Sequence, residues 1–201
     1  MVPGLVIASG SSSRMGRSKA LLPVPDGRTF VRCLSEALWS GGVAEVLVAG
    51  RPEDTALRTE VARLDLPVRF VENGDADRGP LMSILAGLLL ADHPGVHGLL
   101  VTPVDLPLVT AATVSALLAR FHSTKAPIVR AVHGGAHGHP VVFSRAVFGE
   151  LRGADPALGA KAVVRAHADT LVNLEVPDPG VLTDIDTPDE YERVFGRPVP
   201  S

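Results

Sequence analysis

The sequence predicts an α/β protein in which a mostly parallel sheet is covered by helices on both faces. Short apolar runs alternate along the chain with longer helical patterns, as in repeated strand and helix units. The early strands, such as residues 43–49, contain few polar positions, and strands of this kind are buried on both faces. With 201 residues, of which 46% are hydrophobic, the chain can form one sizeable core. We therefore predict a single domain over residues 1–196 and a loose tail over residues 197–201.

Boundary residues mark the individual elements. Thr29 is placed to cap the first helix, and Gly41 and Gly42 to end it. Acidic residues in the first turn favour a helix start near Pro52, and Asp155 with Pro156 favours another that reaches Ala166. A segment rich in Gly and His is expected to connect the fifth and sixth strands flexibly. The predicted strands cover residues 5–8, 43–49, 68–71, 99–101, 128–129, 141–143 and 171–176, and the other helices begin near residues 81, 110 and 186.

Composition excludes several classes of protein. The formal net charge of −3 argues against a general nucleic-acid binder. The longest apolar run, residues 84–91, is far shorter than the roughly 20 residues that span a bilayer, so no membrane contact is expected. There is no pattern of a secretory signal, and the single Cys33 fits a reducing compartment. We expect a cytoplasmic protein with a buried Cys33 thiol.

The first strand runs into a loop whose composition suits an anion. Gly and Ser dominate residues 9–18, and the cations Arg14, Arg17 and Lys19 follow one another closely. Small residues let backbone N–H groups approach a ligand, which together with the cations favours a polyphosphate site. The dinucleotide fingerprint and the P-loop pattern are both absent, because Gly10 and Gly16 have the wrong spacing for either. The alternative is a polar surface loop.

Two acidic positions are candidate metal ligands. Asp105 directly follows the fourth strand between Pro103 and Pro107, and a carboxylate at a strand end suits Mg²⁺. Its alternative role is a helix cap, for which Thr110 is better placed. Asp186 either contacts the metal or substrate or only caps the last helix, and Asp184 would face the same side in extended backbone.

Two further segments allow more than one interpretation. Gly79 and Ser83 either contact a base and ribose, or the segment is an ordinary helix start that Asp77 or Ser83 caps, with Pro80 in its first turn. The three histidines between the fifth and sixth strands make a weak zinc candidate, because zinc needs more ligands and oriented partners. Only His139, beside Pro140, is retained as a substrate contact. The three histidines are His133, His137 and His139.

Five segments resemble the molybdopterin nucleotidyltransferase-like family, in the order of that family's motifs. Residues 7–19 resemble its strand and L-A-A/G-G-x-S-x-R-M-G-x-x-K loop, although Ser9 replaces the usual Ala or Gly. Residues 79–88 resemble its G-x-x-x-S-I/L-x-x-G-L segment, and residues 103–107 its acidic motif. Residues 138–143 and 184–189 are similar to the G-H-P-V-x-F and D-I-D-T-P-E-D segments of the cytidylyltransferase branch. The resemblance covers nearly the whole chain.

This resemblance implies a Rossmann-like nucleotidyltransferase fold and a reaction. A phosphate on an acceptor attacks the α-phosphate of a nucleoside triphosphate and releases pyrophosphate. Arg14, Lys19 and Asp105 would be the catalytic residues, and Asp105 and Asp186 would hold Mg²⁺ or Mn²⁺. The resemblance also implies a set of nucleotide- and substrate-binding residues: Ala8, Ser9, Gly10, Ser11, Ser12, Lys19, Asn73, Gly79, Ser83 and His139.

The implied partners are a nucleoside triphosphate, with CTP favoured, and a phosphorylated acceptor, with molybdopterin favoured. Two departures leave the branch open: Pro103 and Val104 precede Asp105 where cytidylyltransferases tend to have other residues, and residues 79–81 lean toward guanylyltransferases. The alternatives are therefore a guanylyltransferase on molybdopterin or a transferase acting on a sugar phosphate. A non-catalytic carrier of the molybdenum cofactor is the alternative of another class, and a molybdoenzyme apoprotein is a further partner to consider.

Overall fold

The computed structural model describes residues 1–10, 12 and 14–200, and the predicted fold class is confirmed. Within these residues the strands are β1 (Gly4–Ile7), β2 (Val46–Gly50), β3 (Val68–Glu72), β4 (Gly98–Pro103), β5 (Ile128–His133), β6 (Ala136–Ser144) and β7 (Val172–Glu175). They form one sheet in the order β3-β2-β1-β4-β6-β5-β7.

Helices cover both faces of this sheet. In the described ranges they are α1 (Phe30–Ser40), α2 (Thr55–Ala62), α3 (Pro80–Ala91), α4 (Ala111–Thr124), α5 (Phe148–Gly153), α6 (Ala160–Ala166) and α7 (Pro188–Phe195). Side chains of α1, α2, α4 and α7 join one apolar cluster, and those of α3, α5 and α6 join the other. In β1, Leu5 packs into the second cluster and Val6 into the first, because successive side chains of a strand point to opposite faces.

The sheet is parallel except at β6. This strand pairs antiparallel with β4 and with β5, whereas β5 and β7 are parallel. The segment predicted as a flexible Gly/His connection is instead part of a hairpin, and that prediction is corrected. Gly134 and Gly135 alone form the turn, both with positive φ angles of 57° and 81°, which is the conformation of a tight hairpin. His137 and His139 therefore lie on β6 and not in a loop.

The helix predicted from Asp155 is shorter than expected and begins at Ala160. The Asp155 carboxylate accepts a hydrogen bond from the Ala157 N–H and forms a local turn. Gly159, whose φ angle of 65° is not helical, then precedes α6, so the helix begins only at Ala160. The preceding helix α5 has no counterpart among the predicted elements, because at six residues it is too short to show a periodic pattern.

The last helix packs against the beginning of the chain. Tyr191 is fully buried, stacks on Phe30, and donates a hydrogen bond from its hydroxyl to the Pro23 carbonyl at 2.5 Å. The segment predicted as a loose tail also contacts this region. Arg197 donates to the Val24 carbonyl at 2.9 Å, and the Pro200 carbonyl accepts a hydrogen bond from Arg17. No helix in the described residues is long and apolar enough to cross a membrane.

Candidate active site

A cavity of about 810 Å³ opens at the carboxyl ends of β1 and β4, on the side of the sheet covered by α3 and α6. Because β6 runs antiparallel to β4, the first residues of β6 lie at the same edge. The cavity collects residues that are far apart in the sequence. Those predicted for the site that line it are Ala8, Ser9, Gly10, Ser12, Lys19, Gly79, Asp105 and His139.

Lys19 joins two carboxylates at one side of the cavity. Its Nζ donates to Asp105 Oδ2 at 2.9 Å and to Asp186 Oδ1 at 2.5 Å. Arg14, whose side chain is largely exposed, donates from Nη2 to the other oxygen of Asp186. Residues from three distant parts of the chain thus form one ion-pair cluster.

The cluster fixes the charges of its members. Burial alone would lower the pKa of Lys19, but the hydrogen bond with Asp186 and the charge of Asp105 outweigh it and raise that pKa above its usual value. Burial would raise the pKa of Asp186, whereas Lys19 and Arg14 hold that pKa below its usual value. Lys19 is therefore a cation and Asp186 an anion at neutral pH.

Neither the Asp105 nor the Asp186 carboxylate serves as a helix cap. Thr187 caps α7 by accepting from the Glu190 N–H, and Glu190 accepts in return from the backbone N–H groups of Asp186 and Thr187. Thr110 caps α4 in the same manner by accepting from Thr113 N–H. The structure therefore does not support the alternative interpretation of Asp105 and Asp186 as helix caps.

Asp105 and Asp186 are suited to a hard divalent cation. Their oxygens contact the same Lys19 nitrogen, so they face a common point where positive charge is stabilised. Mg²⁺ is typically held by one or two carboxylates and completes its shell with water and phosphate oxygens. In the described ranges no group of three or more His, Cys, Asp or Glu side chains could hold a metal, so this pair would depend on a ligand's oxygens.

The loop between β1 and Lys19 turns tightly where it is described. Ser12 adopts a left-handed conformation with φ 50°, and its carbonyl accepts from the N–H groups of Met15 and Gly16. The Ser12 hydroxyl accepts from the Lys19 N–H at 3.1 Å. These bonds hold Lys19 beside the cavity. Ser11, a predicted phosphate contact, lies outside the described residues.

Asn73 and Ser83 lie behind the cavity wall. The resemblance implies that both contact the nucleotide, but they are 3% and 0% exposed. Ser83 Oγ lies 2.6 Å from Ser9 Oγ, and Asn73 Nδ2 donates to Ser83 Oγ at 3.0 Å and to Ser9 Oγ at 3.3 Å. In this structure both side chains therefore hold Ser9 and are inaccessible to a ligand. The hydroxyl that makes Ser9 depart from the family pattern is part of this network.

Arg51 is a supporting residue that the sequence analysis did not single out. It directly follows β2, and its Nε donates to the Ser9 carbonyl at 3.1 Å. Its Nη2 also donates to Asp77, which was considered as a cap for α3. That helix has no side-chain cap; it begins at Gly79, with φ 108°, and Pro80. A cation just after a buried strand of the sheet is the signal that could have identified Arg51.

His139 lines the cavity with a neutral ring. Burial lowers its pKa below the usual value, and its Nδ1 has no hydrogen-bond partner in the part of the chain that the structure describes. The other two histidines of this hairpin differ. His133 Nδ1 lies 2.8 Å from the Val176 carbonyl, while His137 is exposed at the cavity rim.

Three cations in the cavity wall also escaped the sequence analysis. Arg130 comes from β5, and Lys161 and Arg165 come from α6. The helix predicted from residue 155 contains the last two, but its sequence gives no indication that this face meets the cavity. The contact between this face and the cavity could not be predicted because the hairpin of β5 and β6 was not predicted.

A second cavity, of about 680 Å³, lies beside α1 and α7 and contains none of the predicted site residues. Its lining includes Cys33, which is buried as expected from the sequence. Burial raises the pKa of this thiol to about 11, so it is protonated and a poor nucleophile at neutral pH. Covalent catalysis by Cys33 has no support here.

The sheet, the Gly- and Ser-rich loop after β1, and Lys19 paired with Asp105 after β4 and with Asp186 before α7 together indicate the class of nucleotidyltransferases with a Rossmann-like fold. The chain belongs to the family of MobA-like NTP transferase domains, whose profile matches residues 4–171. This membership confirms the resemblance seen in the motifs.

Three proteins that are similar to this chain carry names that indicate different activities. Purine catabolism protein PucB of Bacillus subtilis is 31% identical over 95% of this chain and 94% of its own length. Nicotine blue oxidoreductase of Paenarthrobacter nicotinovorans is 32% identical over 96% of both chains. A molybdenum cofactor guanylyltransferase of Xanthomonas euvesicatoria is 37% identical over 58% of this chain and 53% of its own.

Solved structures agree with the fold. Rv0371c of Mycobacterium tuberculosis is 27% identical and superposes with a TM-score of 0.80 over 98% of this chain and 99% of its own. The same mycobacterial protein was also solved in complex with manganese, with a TM-score of 0.72 over 97% of this chain and 98% of its own.

Proposed function

We propose that this protein transfers a nucleoside monophosphate from a nucleoside triphosphate to a phosphorylated acceptor, with CTP as the donor and molybdopterin as the acceptor. The observation that carries this proposal is the ion-pair cluster of Lys19, Asp105 and Asp186 beside the β1 loop. A reaction between phosphates needs positioned positive charge, and this cluster has it at the edge where parallel sheets bind ligands.

The chain's own residues account for the chemistry of such a transfer. A phosphate nucleophile is already ionised near neutral pH, so no general base is required. The remaining task is to position the reactants and to neutralise charge. Ser9, Gly10 and Ser12 would bind phosphate oxygens through backbone N–H groups. Lys19 and Arg14 would neutralise the charge that develops at the α-phosphate and on the leaving pyrophosphate.

Asp105 and Asp186 would hold a divalent cation, Mg²⁺ or Mn²⁺. When bound, the cation supplies charge neutralisation on the phosphates. The complex of the mycobacterial protein Rv0371c with manganese supports this assignment. Lys19 would then have to give up part of its contact with the two carboxylates in favour of phosphate oxygens.

The choice of CTP is supported by the segments 138–143 and 184–189, which resemble the cytidylyltransferase branch. The first contributes His139 to the cavity, and the second contributes Asp186 to the cluster. GTP is the second candidate, because relatives such as the Xanthomonas protein are named guanylyltransferases. Those relatives match a smaller part of this chain than PucB does.

The first experiment measures the thermal midpoint of the protein with CTP, GTP, ATP or UTP, each with and without Mg²⁺. A ligand that binds only the native state raises the midpoint as its concentration exceeds the dissociation constant. We expect a Mg²⁺-dependent increase with CTP, followed by pyrophosphate release when molybdopterin is added.

The outcomes separate the candidates. An increase with GTP alone would favour the guanylyltransferase. Binding of molybdopterin without pyrophosphate release from any nucleotide would favour a carrier. Absence of nucleotide binding under all conditions would overturn the proposal and favour another chemistry, as the name of the Paenarthrobacter relative suggests for that protein.

A further inference from the structure

The cavity has a second positively charged region, away from the Lys19 cluster. Arg130, Lys161 and Arg165 line its far wall. Lys161 and Arg165 are four residues apart on α6, so their side chains lie on the same side of that helix. We refer to Arg130, Lys161 and Arg165 as the cationic wall.

The charge of the cationic wall is not compensated by nearby carboxylates. In residues 1–10, 12 and 14–200, no carboxylate oxygen lies within 4.0 Å of these three side chains, whereas Arg28, Arg51 and other surface arginines form ion pairs. Arg130 donates from Nε and Nη2 to the side-chain oxygen of Asn173, at 3.1 and 2.9 Å. A neutral amide fixes the guanidinium in place and leaves its charge available to an anion.

The Arg130 end of the cationic wall is separated from the Lys19 cluster across the sheet. Arg130 lies on β5, and β6 separates it from β4, the strand that leads to Asp105. Two strand spacings correspond to about 10 Å across the sheet. His139 lies between the two regions: burial lowers its pKa, the Val101 backbone and the charge of Asp105 oppose that shift, and the charges of Arg130 and Lys161 add to it. This spacing leaves room at Arg130 for an anion that is separate from the phosphates at the loop.

The surface between the two charged regions is mainly apolar. Arg130 is directly opposite Val141 in the β5–β6 pair, so the two side chains share one face of the sheet. Phe143 and Val164 also line the cavity there. A ligand with a flat or apolar portion would cover these residues while its anionic group contacts the cationic wall.

We propose that the cationic wall is a second anion subsite, which binds an oxyanionic group of the acceptor distinct from the phosphate that receives the nucleotide. This inference rests on the proposed function, since it assigns the far part of the cavity to the acceptor. It also limits the acceptor class to molecules with an apolar or ring portion and at least two anionic groups.

The test uses sulfate as the probe, because it is an unreactive oxyanion. Sodium sulfate is titrated calorimetrically into the full chain saturated with Mg²⁺ and the nucleotide that binds best, at low ionic strength, where such contacts are least screened. The variant Lys161→Ala/Arg165→Ala removes two cations from the wall. The control Arg120→Ala/Arg193→Ala removes two exposed cations that lie outside the cavity.

We expect the wall variant to lose about tenfold or more in sulfate affinity, because charged hydrogen bonds are lost, and the control to stay close to wild type. With acceptor present, the wall variant should raise the KM for the acceptor by a similar factor and leave the KM for the nucleotide unchanged. Equal losses in both variants, or no sulfate binding by the wild type, would overturn the subsite. Failure of the wild type to bind any nucleotide would instead contradict the proposed function, and sulfate titration of the nucleotide-free protein would still test the wall.

Discussion

Lys19 has three roles at the scale of single residues. It forms ion pairs with Asp105 and Asp186, it keeps these carboxylates together, and it ends the loop that we assign to the triphosphate. Without Lys19 the two carboxylates would repel each other at short range, because no other cation lies between them among the described contacts. A single side chain thus organises both the loop and the candidate metal ligands.

Replacing Lys19 with Ala should lower turnover by about two to three orders of magnitude, the usual effect of removing a positioned charge stabiliser. The measurement is the rate of pyrophosphate release at saturating nucleotide and Mg²⁺. Arg17→Ala is the matched control, because Arg17 belongs to the same loop but donates to the Pro200 carbonyl. Near wild-type turnover of Lys19→Ala would contradict the assignment of the loop.

His139 should titrate below the ordinary histidine value of 6.5 when its ring is followed by NMR, because burial disfavours the imidazolium. Since its folded-state pKa is lowered, His139 contributes stability above pH 6.5 that is lost as the pH falls toward the lowered value. His139→Gln should flatten this part of the stability profile and remove the signal. A midpoint at or above 6.5 would show that the ring is hydrated.

At the scale of elements, the start of the loop after β1 is held by hydrogen bonds from buried residues behind it. Ser9 follows β1, Asn73 follows β3 and Ser83 lies in α3, and their side chains hydrogen-bond to one another inside the protein. Arg51 holds the Ser9 carbonyl from a fourth position. The first residue of the loop is therefore fixed before any ligand binds, which reduces the ordering that binding requires.

Ser83→Ala should destabilise the protein by about 1–3 kcal/mol, because it removes two buried hydrogen bonds and leaves Asn73 and Ser9 only the 3.3 Å bond between them. Ser35→Ala is the control, since the Ser35 hydroxyl is equally buried but has no partner in the described part of the chain. Its replacement should be neutral or stabilising. Urea unfolding of both variants gives the comparison, and equal losses would mean that the network contributes nothing.

The approach of β6 to the Pro179–Val181 turn depends on Gly138. A Cβ on Gly138 would lie 2.3 Å from the Val181 carbonyl oxygen, which belongs to the backbone and cannot rotate away. We expect Gly138→Ala to destabilise by about 1–3 kcal/mol, as overpacked positions do. Gly149→Ala, in α5, has no heavy atom within 4 Å of the added Cβ and should stabilise by about 0.4–1 kcal/mol. Denaturant midpoints of the two variants test this difference, and a stable Gly138→Ala would contradict it.

At the scale of the whole molecule, the sheet brings the site together from all parts of the chain. Lys19 comes from near the beginning, Asp105 from the middle and Asp186 from near the end. The α7 helix carries Asp186 into place, and Tyr191 anchors this helix against Phe30 and Pro23. The position of a candidate metal ligand is thus a property of the packing of the entire fold.

Tyr191→Phe tests this anchoring. The variant retains the ring stacking but loses the hydroxyl bond to the Pro23 carbonyl, which should cost about 1 kcal/mol. For a protein of this size the thermal midpoint should fall by about 2–4 °C. Scanning calorimetry measures the change, and an unchanged midpoint would show that the hydroxyl bond does not contribute.

Most of the order of elements, with the exception of α5, and the edge of the sheet that bears the candidate site could be predicted from local patterns. Apolar runs indicated the strands, and the rule that ligands bind at strand ends linked the loop to Asp105. The cationic wall could not be predicted, because it depends on the antiparallel insertion of β6 between β4 and β5 and on the break at Gly159 before α6. The burial of Asn73 and Ser83 depends on three elements meeting behind the loop, which no single segment reveals.

The distance of 167 residues between Lys19 and Asp186 along the chain has a consequence for biosynthesis. At roughly 5–20 residues per second, a ribosome takes about 8 to 33 s to advance from one to the other. Asp105 is added 86 residues after Lys19, and from then on a nascent chain could bring Lys19 to Asp105 but would lack Asp186. The complete charge cluster is therefore among the last features that can be assembled as each molecule is made.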